Sequence, residues 1–362
     1  MTLAENRDSI LLLPSAATQQ NPDGNLRLAR ASLPCSFVVA PGRDIRVTDA
    51  LPTPLDTSPA AGSPPPVGSK LPVKVIILAN PYSGAKKNRE HVAELAAALA
   101  SVGLQPQPVW QLDELEAISR EAGFAEQYRC IVAAGGDGTL NRTINYRLSV
   151  PLAVLPLGNE NLFARQFGFT TDAVLLADKI ARGQTRAIDL GRAGERLFSV
   201  VVSAGFDGDV AHRLADWRRD ESRLRRVGSH SYVLPIATSI CRYPFCNVEL
   251  EADGQRHSGA LAMVFNVPRY ALGLRLCPDA LADDGWLDWV VFNRPGRLRL
   301  GLYAAAVALG QHRRLNDVQY GRARRLWLRS ADTVPLELDG EAAEFTPIEV
   351  NVEPLALRIV TG

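Results

Sequence analysis

The chain has 362 residues, and its 40 Lys and Arg against 39 Asp and Glu leave a formal net charge of +1. A charge this close to zero gives no electrostatic reason to expect a nucleic-acid partner. Hydrophobic residues make up 46% and charged residues 22% of the sequence, which is typical of a soluble globular protein. The length is sufficient for two domains with cores of their own.

The N-terminal residues and the cysteines indicate in which cellular compartment the protein is expected. Residues 10–13 are apolar but too short to span a bilayer, and they follow Glu5 and Asp8 rather than basic residues. Neither a signal peptide nor a transmembrane helix is predicted. The five cysteines are scattered, odd in number and without metal-type CxxC spacing, so disulfides are not expected. We therefore predict a reducing, cytoplasmic location.

Three regions follow one another along the chain. Residues 1–70 are rich in Pro, Ala, Ser and Gly and predict a tail and linker without a core. Residues 71–187 alternate strands with helices, which predicts a doubly wound, Rossmann-like α/β domain. Its strands are expected at 73–79, 107–111, 129–134 and 152–155. Its helices are expected at 88–102, at 113–122, from 139 and from 161. Residues 188–362 predict a largely antiparallel β domain, with strands at 197–203, 246–252, 258–267, 286–292, 324–329, 334–338, 347–352 and 356–360 and helices near 208–218, 229–241 and 297–311.

A glycine-rich turn follows the predicted strand at 129–134. Its residues are Gly135, Gly136, Asp137, Gly138 and Thr139. Glycines let the backbone approach a bulky anion and tolerate positive φ, and a helix that starts at the turn presents its N-terminal amides to negative charge. This pattern predicts a loop that binds phosphate.

A second candidate loop, at residues 80–84, follows the strand at 73–79. It reads Asn-Pro-Tyr-Ser-Gly and offers Asn80, Ser83 and Gly84. Open parallel sheets place their ligand sites at the carboxyl ends of the strands. We therefore expect both loops to contribute to one site.

Six segments, in the same order along the chain, resemble the diacylglycerol kinase catalytic-domain superfamily, which includes bacterial lipid kinases and sphingosine and ceramide kinases. The resemblance covers about residues 72–361. It implies an NAD kinase-like α/β domain followed by an antiparallel β-sandwich domain. The segments are NPYSG at 80–84, GGDGT at 135–139, PLGNENLFAR at 156–165, SAGFD at 203–207, PDALADDG at 278–285 and LDGE at 338–341.

The resemblance also implies an activity and roles for individual residues. The chain is expected to be an ATP-dependent kinase that uses Mg²⁺, visits a membrane surface transiently, and phosphorylates a hydroxyl of diacylglycerol, a sphingoid base or a related lipid. Asp137 would orient magnesium or the acceptor, and Glu341 would be the catalytic base. The nucleotide would be held by Asn80, Ser83, Gly84, Gly135, Gly136, Gly138, Thr139, Gly158, Asn161 and Arg165. A structural cation would be held by the Asp284 carboxylate and the carbonyls of Leu281 and Trp286.

Simpler explanations exist for the same residues. The glycines also suit an ordinary strand-to-helix turn, Asp137 suits the N-cap of the following helix, and residues 339–341 and 283–285 each suit a plain turn. The chain departs from the family where Asn159 and Leu162 replace the usual Thr and Asp. An NAD kinase-like or sugar kinase and a catalytically weak nucleotide-binding homologue therefore stay open as alternatives, and the sequence does not indicate an oligomeric state.

Overall fold

The first half of the fold alternates strands and helices. The computed structural model describes residues 73–79, 85–146, 149–219 and 233–362. Its first elements are β1 (Lys74–Ala79), α1 (Ala85–Ser101), β2 (Gln105–Val109), α2 (Leu112–Ser119), α3 (Phe124–Gln127), β3 (Tyr128–Gly135), α4 (Asp137–Asn145), β4 (Leu152–Pro156), α5 (Leu162–Phe167) and α6 (Ala173–Arg182). The strands lie in the order β2, β1, β3, β4 and are all parallel. Continuous apolar runs such as Val75, Ile76 and Ile77 are fully buried, as parallel strands covered on both faces require.

The second half is richer in strands. Its elements are β5 (Thr185–Ala193), β6 (Arg196–Phe198), β7 (Val201–Gly205), α7 (Phe206–Arg219), α8 (Val233–Arg242), β8 (Val248–Ala252), β9 (Gln255–Gly259), β10 (Leu261–Phe265), β11 (Leu287–Phe292), α9 (Arg297–Ala308), β12 (Val318–Ala323), β13 (Arg325–Arg329), β14 (Pro335–Leu338), β15 (Glu341–Phe345) and β16 (Ile348–Val360). Six of these strands form an antiparallel sheet in the order β12, β11, β10, β7, β14, β15.

The parallel strands continue into a larger mixed sheet through the last strand. β16 pairs in parallel with β4 at Ile359 and Leu152, and it pairs antiparallel with β5 and β13. β13 then pairs with β8, and β8 pairs with β9. The boundary expected between residues 187 and 188 falls inside β5. The division into domains at that point stays a prediction.

A sandwich core lies between the two sheets. Phe198, Leu326 and Val350 of the mixed sheet belong to the same buried cluster as Val202 and Val264 of the antiparallel sheet. A larger cluster extends beneath the parallel strands and includes Ile76, Ile131 and Leu155. The predicted fold class, a doubly wound α/β part followed by an antiparallel β-sandwich, is confirmed.

Three strands of the fold are not predicted by the sequence pattern. β5, β12 and β15 carry polar residues and show no regular apolar alternation. Asp189 in β5, for example, is buried, and its carboxylate accepts from the amides of Gly285 and Leu355, each at 2.7 Å. The strands expected at 347–352 and 356–360 are a single strand, β16, whose register shifts between Glu353 and Leu357. An expectation based on local alternation divides a strand at such a bulge.

Candidate active site

The glycine-rich turn joins β3 to α4. Gly135 ends β3, Gly136 is the N-cap residue of α4, and the amide of Thr139 donates to the Gly136 carbonyl at 3.0 Å. The glycines of this turn do not have the positive φ that the sequence suggested, and Gly136 has a φ of −91°. Their role is to allow close contact, because a Cβ on Gly158 would lie 2.5 Å from the Gly136 Cα.

The turn after β4 lies against this first turn. The amide of Leu157 donates to the Gly135 carbonyl at 2.9 Å. Asn161, with a φ of 48°, closes its own turn: its Oδ1 accepts from the Gly158 amide at 3.0 Å and its Nδ2 donates to the Gly158 carbonyl at 2.8 Å. The expected nucleotide residues Gly158 and Asn161 therefore sit beside the glycine-rich turn, while Arg165 lies one turn into α5 and is exposed.

Asp137 caps a helix, but not the one that it begins. It occupies the first turn of α4, and its Oδ1 accepts from the amide of Phe163 in α5 at 3.4 Å. Burial raises the pKa of Asp137, the amides of Leu162, Phe163 and Asn161 oppose that rise, and the nearby Asp339 carboxylate adds to it. The carboxylate thus sits at the N-terminus of α5, where the peptide dipoles favour negative charge.

Glu341 reaches the glycine-rich turn from the other half of the fold. It follows the turn between β14 and β15, where Asp339 and Gly340 have φ values of 49° and 84°, as a tight primed hairpin turn requires. A Cβ built on Gly138 would lie 2.7 Å from the Glu341 Oε1. The Arg196 guanidinium lies 3.6 Å from the other carboxylate oxygen. The predicted base therefore adjoins the predicted phosphate loop.

Asp339 fixes this hairpin turn to the rest of the protein. Its Oδ1 accepts from the amides of Val200 and Val201, each at 2.9 Å. Its Oδ2 accepts from the Ser199 amide at 2.7 Å, from the Ser199 hydroxyl at 2.9 Å and from Asn141 Nδ2 in α4 at 3.2 Å. Burial raises the pKa of Asp339, and the Ser199, Val201 and Val200 amides oppose the rise. The Asp339 carboxylate thus connects the turn between β14 and β15 to α4, the helix that follows the glycine-rich turn.

A second buried carboxylate, Glu337, supports the same turn from inside. It accepts from the Gly340 amide and, at 2.9 Å, from the Ser203 hydroxyl. Burial raises the pKa of Glu337 to about 8, the Gly340 amide opposes this rise, and the Asp207 carboxylate adds to it. Asp207 is itself buried, with a pKa raised to about 6, and it accepts from the Tyr270 hydroxyl at 2.8 Å.

Two family models match this chain. Residues 74–193 match the diacylglycerol kinase catalytic domain, and residues 200–361 match the YegS C-terminal NAD kinase beta sandwich-like domain. Over these two stretches the chain is similar to the diacylglycerol kinase catalytic-domain superfamily. The resemblance drawn from the six segments is thereby confirmed, and the chain is a phosphotransferase of the lipid-kinase type.

Individual relatives show the same similarity in sequence, and solved structures show it in fold. The diacylglycerol kinase of Staphylococcus carnosus is 26% identical over 296 residues, which cover 76% of this chain and 93% of the relative. That of Staphylococcus aureus is 26% identical and covers 77% and 91%. The crystal structure of a diacylglycerol kinase from Bacillus anthracis superposes with a TM-score of 0.56 at 17% identity, covering 80% of this chain and 97% of that chain. A second structure from the same organism gives 0.64 at 20% identity, covering 82% and 98%.

The departure from the superfamily pattern at Leu162 has a structural counterpart. Leu162 begins α5 and packs against the large hydrophobic core. Its backbone amide still contributes to holding the Asp137 carboxylate. The apolar side chain therefore replaces a carboxylate without disturbing the helix N-terminus that Asp137 caps.

The predicted cation site is already occupied by protein partners. The Asp284 Oδ1 accepts from the Trp286 amide at 3.1 Å, and its Oδ2 forms an ion pair with Arg322. A cation held by Asp284 and the Leu281 and Trp286 carbonyls would have to displace Arg322. Within the described residues, no group of three or more His, Cys, Asp or Glu side chains is arranged to hold a metal ion.

The remaining expectations concern the N-terminal tail, the second phosphate loop and membrane-spanning helices. Residues 1–70 and the loop at 80–84, with Asn80, Ser83 and Gly84, lie outside the described residues. Among the helices that are described, none combines the length and apolar character needed to cross a bilayer.

Sequence reasoning assigned no role to the residues that hold the site together, namely Asn141, Glu337 and Asp339. A signal for one of them is present in the sequence, since Glu337 stands between apolar neighbours in a strand. A carboxylate at such a position is buried with partners more often than it is exposed.

Proposed function

We propose that this protein transfers the γ-phosphoryl group of ATP to a hydroxyl of diacylglycerol, a sphingoid base or a related lipid. The observation that carries the proposal is the contact of Glu341 with Gly138, which brings a carboxylate to the edge of the glycine-rich turn. A kinase of this type needs a phosphate-binding loop and a base aligned with the acceptor hydroxyl. These two parts come from opposite halves of the fold, and Asp339 ties them together.

In the proposed reaction, Glu341 accepts the proton of the lipid hydroxyl. The hydroxyl oxygen forms a bond to the γ-phosphorus as the bond between that phosphorus and the bridging oxygen of ADP breaks. The Arg196 guanidinium lies 3.6 Å from one Glu341 carboxylate oxygen and would help to orient the carboxylate toward the acceptor. Because phosphoryl transfer needs little covalent help from the protein, positioning accounts for most of the catalysis.

The nucleotide phosphates are proposed to lie on the turn formed by Gly135, Gly136, Gly138 and Thr139, with Gly158 and Asn161 at its side and Arg165 near the nucleotide. The absence of side chains on the glycines leaves backbone amides accessible to an anion. Asp137 offers the hard oxygen ligand that Mg²⁺ prefers, and this cation would spread the charge of the phosphates. Asn80, Ser83 and Gly84 are proposed to complete the phosphate site.

The acceptor implies contact with a membrane surface, because diacylglycerol and sphingoid bases reside in bilayers. We further propose a cytoplasmic location, which is supported by the free state of Cys130, Cys241, Cys246 and Cys277. The contact is proposed to be peripheral and transient.

The test is to incubate the purified protein with labelled ATP, Mg²⁺ and three separate acceptor panels: lipids, NAD, and sugar phosphates. We expect label only in the lipid panel. Label in NAD or a sugar phosphate would instead support a kinase of the related type. Nucleotide binding by calorimetry without transfer to any acceptor would identify a catalytically weak homologue.

A further inference from the structure

Helix α9 (Arg297–Ala308) has an apolar outer face. Leu298 is 89% exposed, Leu302 56% and Leu309, directly after the helix, 74%. These three leucines are spaced by four and seven residues, so they project from one side of the helix. The opposite side of α9 packs inward through Tyr303 and Val307, which are buried. The helix is therefore apolar on both its inner and its outer side.

The outer face of α9 carries small, uncharged residues between its leucines. Ala305 lies between Leu302 and Leu309 on the same side and is exposed. A Cβ built on Gly301 would meet nothing within 4 Å. No charged residue occurs from residue 300 to residue 311. An ordinary surface helix carries polar residues on its outer face, so this stripe of about 16 Å is suited to an apolar partner.

Both ends of the stripe are basic. Arg294, Arg297 and Arg299 precede it or open the helix, and Arg313 and Arg314 follow it, while Asp and Glu are absent from residues 294–316. Arg299 and Arg294 both pair with the buried Asp317, and Arg313 pairs with Asp279. Arg294 nevertheless keeps 70% of its side chain exposed, and Arg297 and Arg314 are also exposed. An apolar face flanked by arginines matches a surface that is apolar inside and anionic at its rim.

We propose that α9 docks this protein on the surface of a bilayer that contains anionic lipids, with Leu298, Leu302 and Leu309 inserted between the headgroups. The inference rests on the proposed function, since a lipid acceptor lies in such a bilayer. A second copy of the chain fits the same face poorly. Two α9 helices packed on each other would bring arginines against arginines, with no acidic residue between 294 and 316 to pair with them.

The test measures flotation of the full chain with vesicles of phosphatidylcholine alone or mixed with phosphatidylglycerol, in the absence of ATP. The combined variant Leu298→Ser, Leu302→Ser and Leu309→Ser should lower the partition coefficient at least about tenfold. Arg297→Gln and Arg314→Gln should each lower it roughly fivefold on anionic vesicles only. The control is Val174→Ser with Leu175→Ser, which removes apolar side chains that are 73% and 43% exposed on α6, and it should bind like the wild type.

Unchanged vesicle binding by the triple leucine variant would overturn the proposal. So would a wild-type dimer that the variant dissociates while neither protein binds vesicles, because the occupant would then be a second copy. Phosphorylation of a short-chain diacylglycerol dispersed in solution is measured in parallel and should be equal in both proteins. Failure of the wild type to phosphorylate either this diacylglycerol or a soluble short-chain sphingoid base would refute the proposed function, whereas the vesicle result would still decide the role of α9.

Discussion

The substitution Glu337→Gln tests whether a buried carboxyl group under the catalytic turn sets the pH dependence of stability. Its pKa is raised from 4.5 to about 8, chiefly by burial. The folded protein therefore holds this proton more tightly than the unfolded chain does. The stabilisation is complete below pH 4.5, decreases as the pH rises, and is lost once the pH passes about 8.

The size of the effect follows from the two pKa values. A difference between 4.5 and about 8 corresponds to about 5 kcal/mol of unfolding free energy. Asp207 contributes in the same direction, but its pKa of about 6 confines that contribution to lower pH. Between pH 6 and 8 the loss of about 2 kcal/mol should therefore come mainly from Glu337.

Glutamine preserves the contacts and removes the titration. Its amide oxygen can accept from the Gly340 amide, and its NH₂ can donate to the Ser203 hydroxyl. Glutamine therefore keeps a hydrogen bond to both partners of Glu337. Urea unfolding followed by circular dichroism at pH 6, 7 and 8 should show a steep decline for the wild type and a nearly flat profile for the variant. Glu344→Gln, an exposed carboxylate in the adjacent strand β15, is the control and should keep the decline. Parallel profiles for the wild type and Glu337→Gln would refute the reasoning.

Three further outcomes are expected. Glu341→Gln keeps the shape of the base but cannot accept a proton, so kcat for lipid phosphorylation should fall about 10²- to 10⁴-fold with little change in KM for ATP; an effect confined to that KM would place Glu341 on the nucleotide. Asp137→Asn should lower turnover at least roughly a hundredfold, and activity within a few-fold of the wild type in a folded variant would show that the residue only caps α5. If a cation can displace Arg322 from Asp284, millimolar Mg²⁺ should raise the Tm of the wild type but not of Asp284→Asn, and an equal Tm with and without Mg²⁺ would mean that the ion pair persists.

The sequence predicts the fold well where the pattern is strong. The apolar run at 130–134 is a strand of the parallel sheet, and the turn that follows it joins β3 to α4. Conversely, β5 carries Arg186, Asp189 and Arg192 and shows no alternation. Its burial depends on hydrogen bonds from Gly285 and Leu355, which are distant in sequence. Local patterns hold no information on partners of that kind.

The candidate site was predictable in its parts but not in its connections. The glycine-rich turn and Glu341 follow from motifs, whereas their contact through Gly138 depends on how two sheets pack. The sequence indicates Asp339 only as part of a turn, yet its carboxylate accepts from Ser199, Val200 and Val201. A motif identifies residues that touch a ligand more readily than residues that hold other residues in place.

The pairing of β16 with β4 has a consequence for anyone who wishes to express the two halves separately. A fragment that stops before β5 would leave the outer edge of β4 without its neighbour at Ile359. Open edges of this kind recruit other strands and lead to aggregates. A peptide spanning β16, added to such a fragment, should compete with that aggregation by filling the vacant position. The last strand thus makes this fold a natural starting point for a split reporter, in which association of two polypeptides restores one continuous sheet.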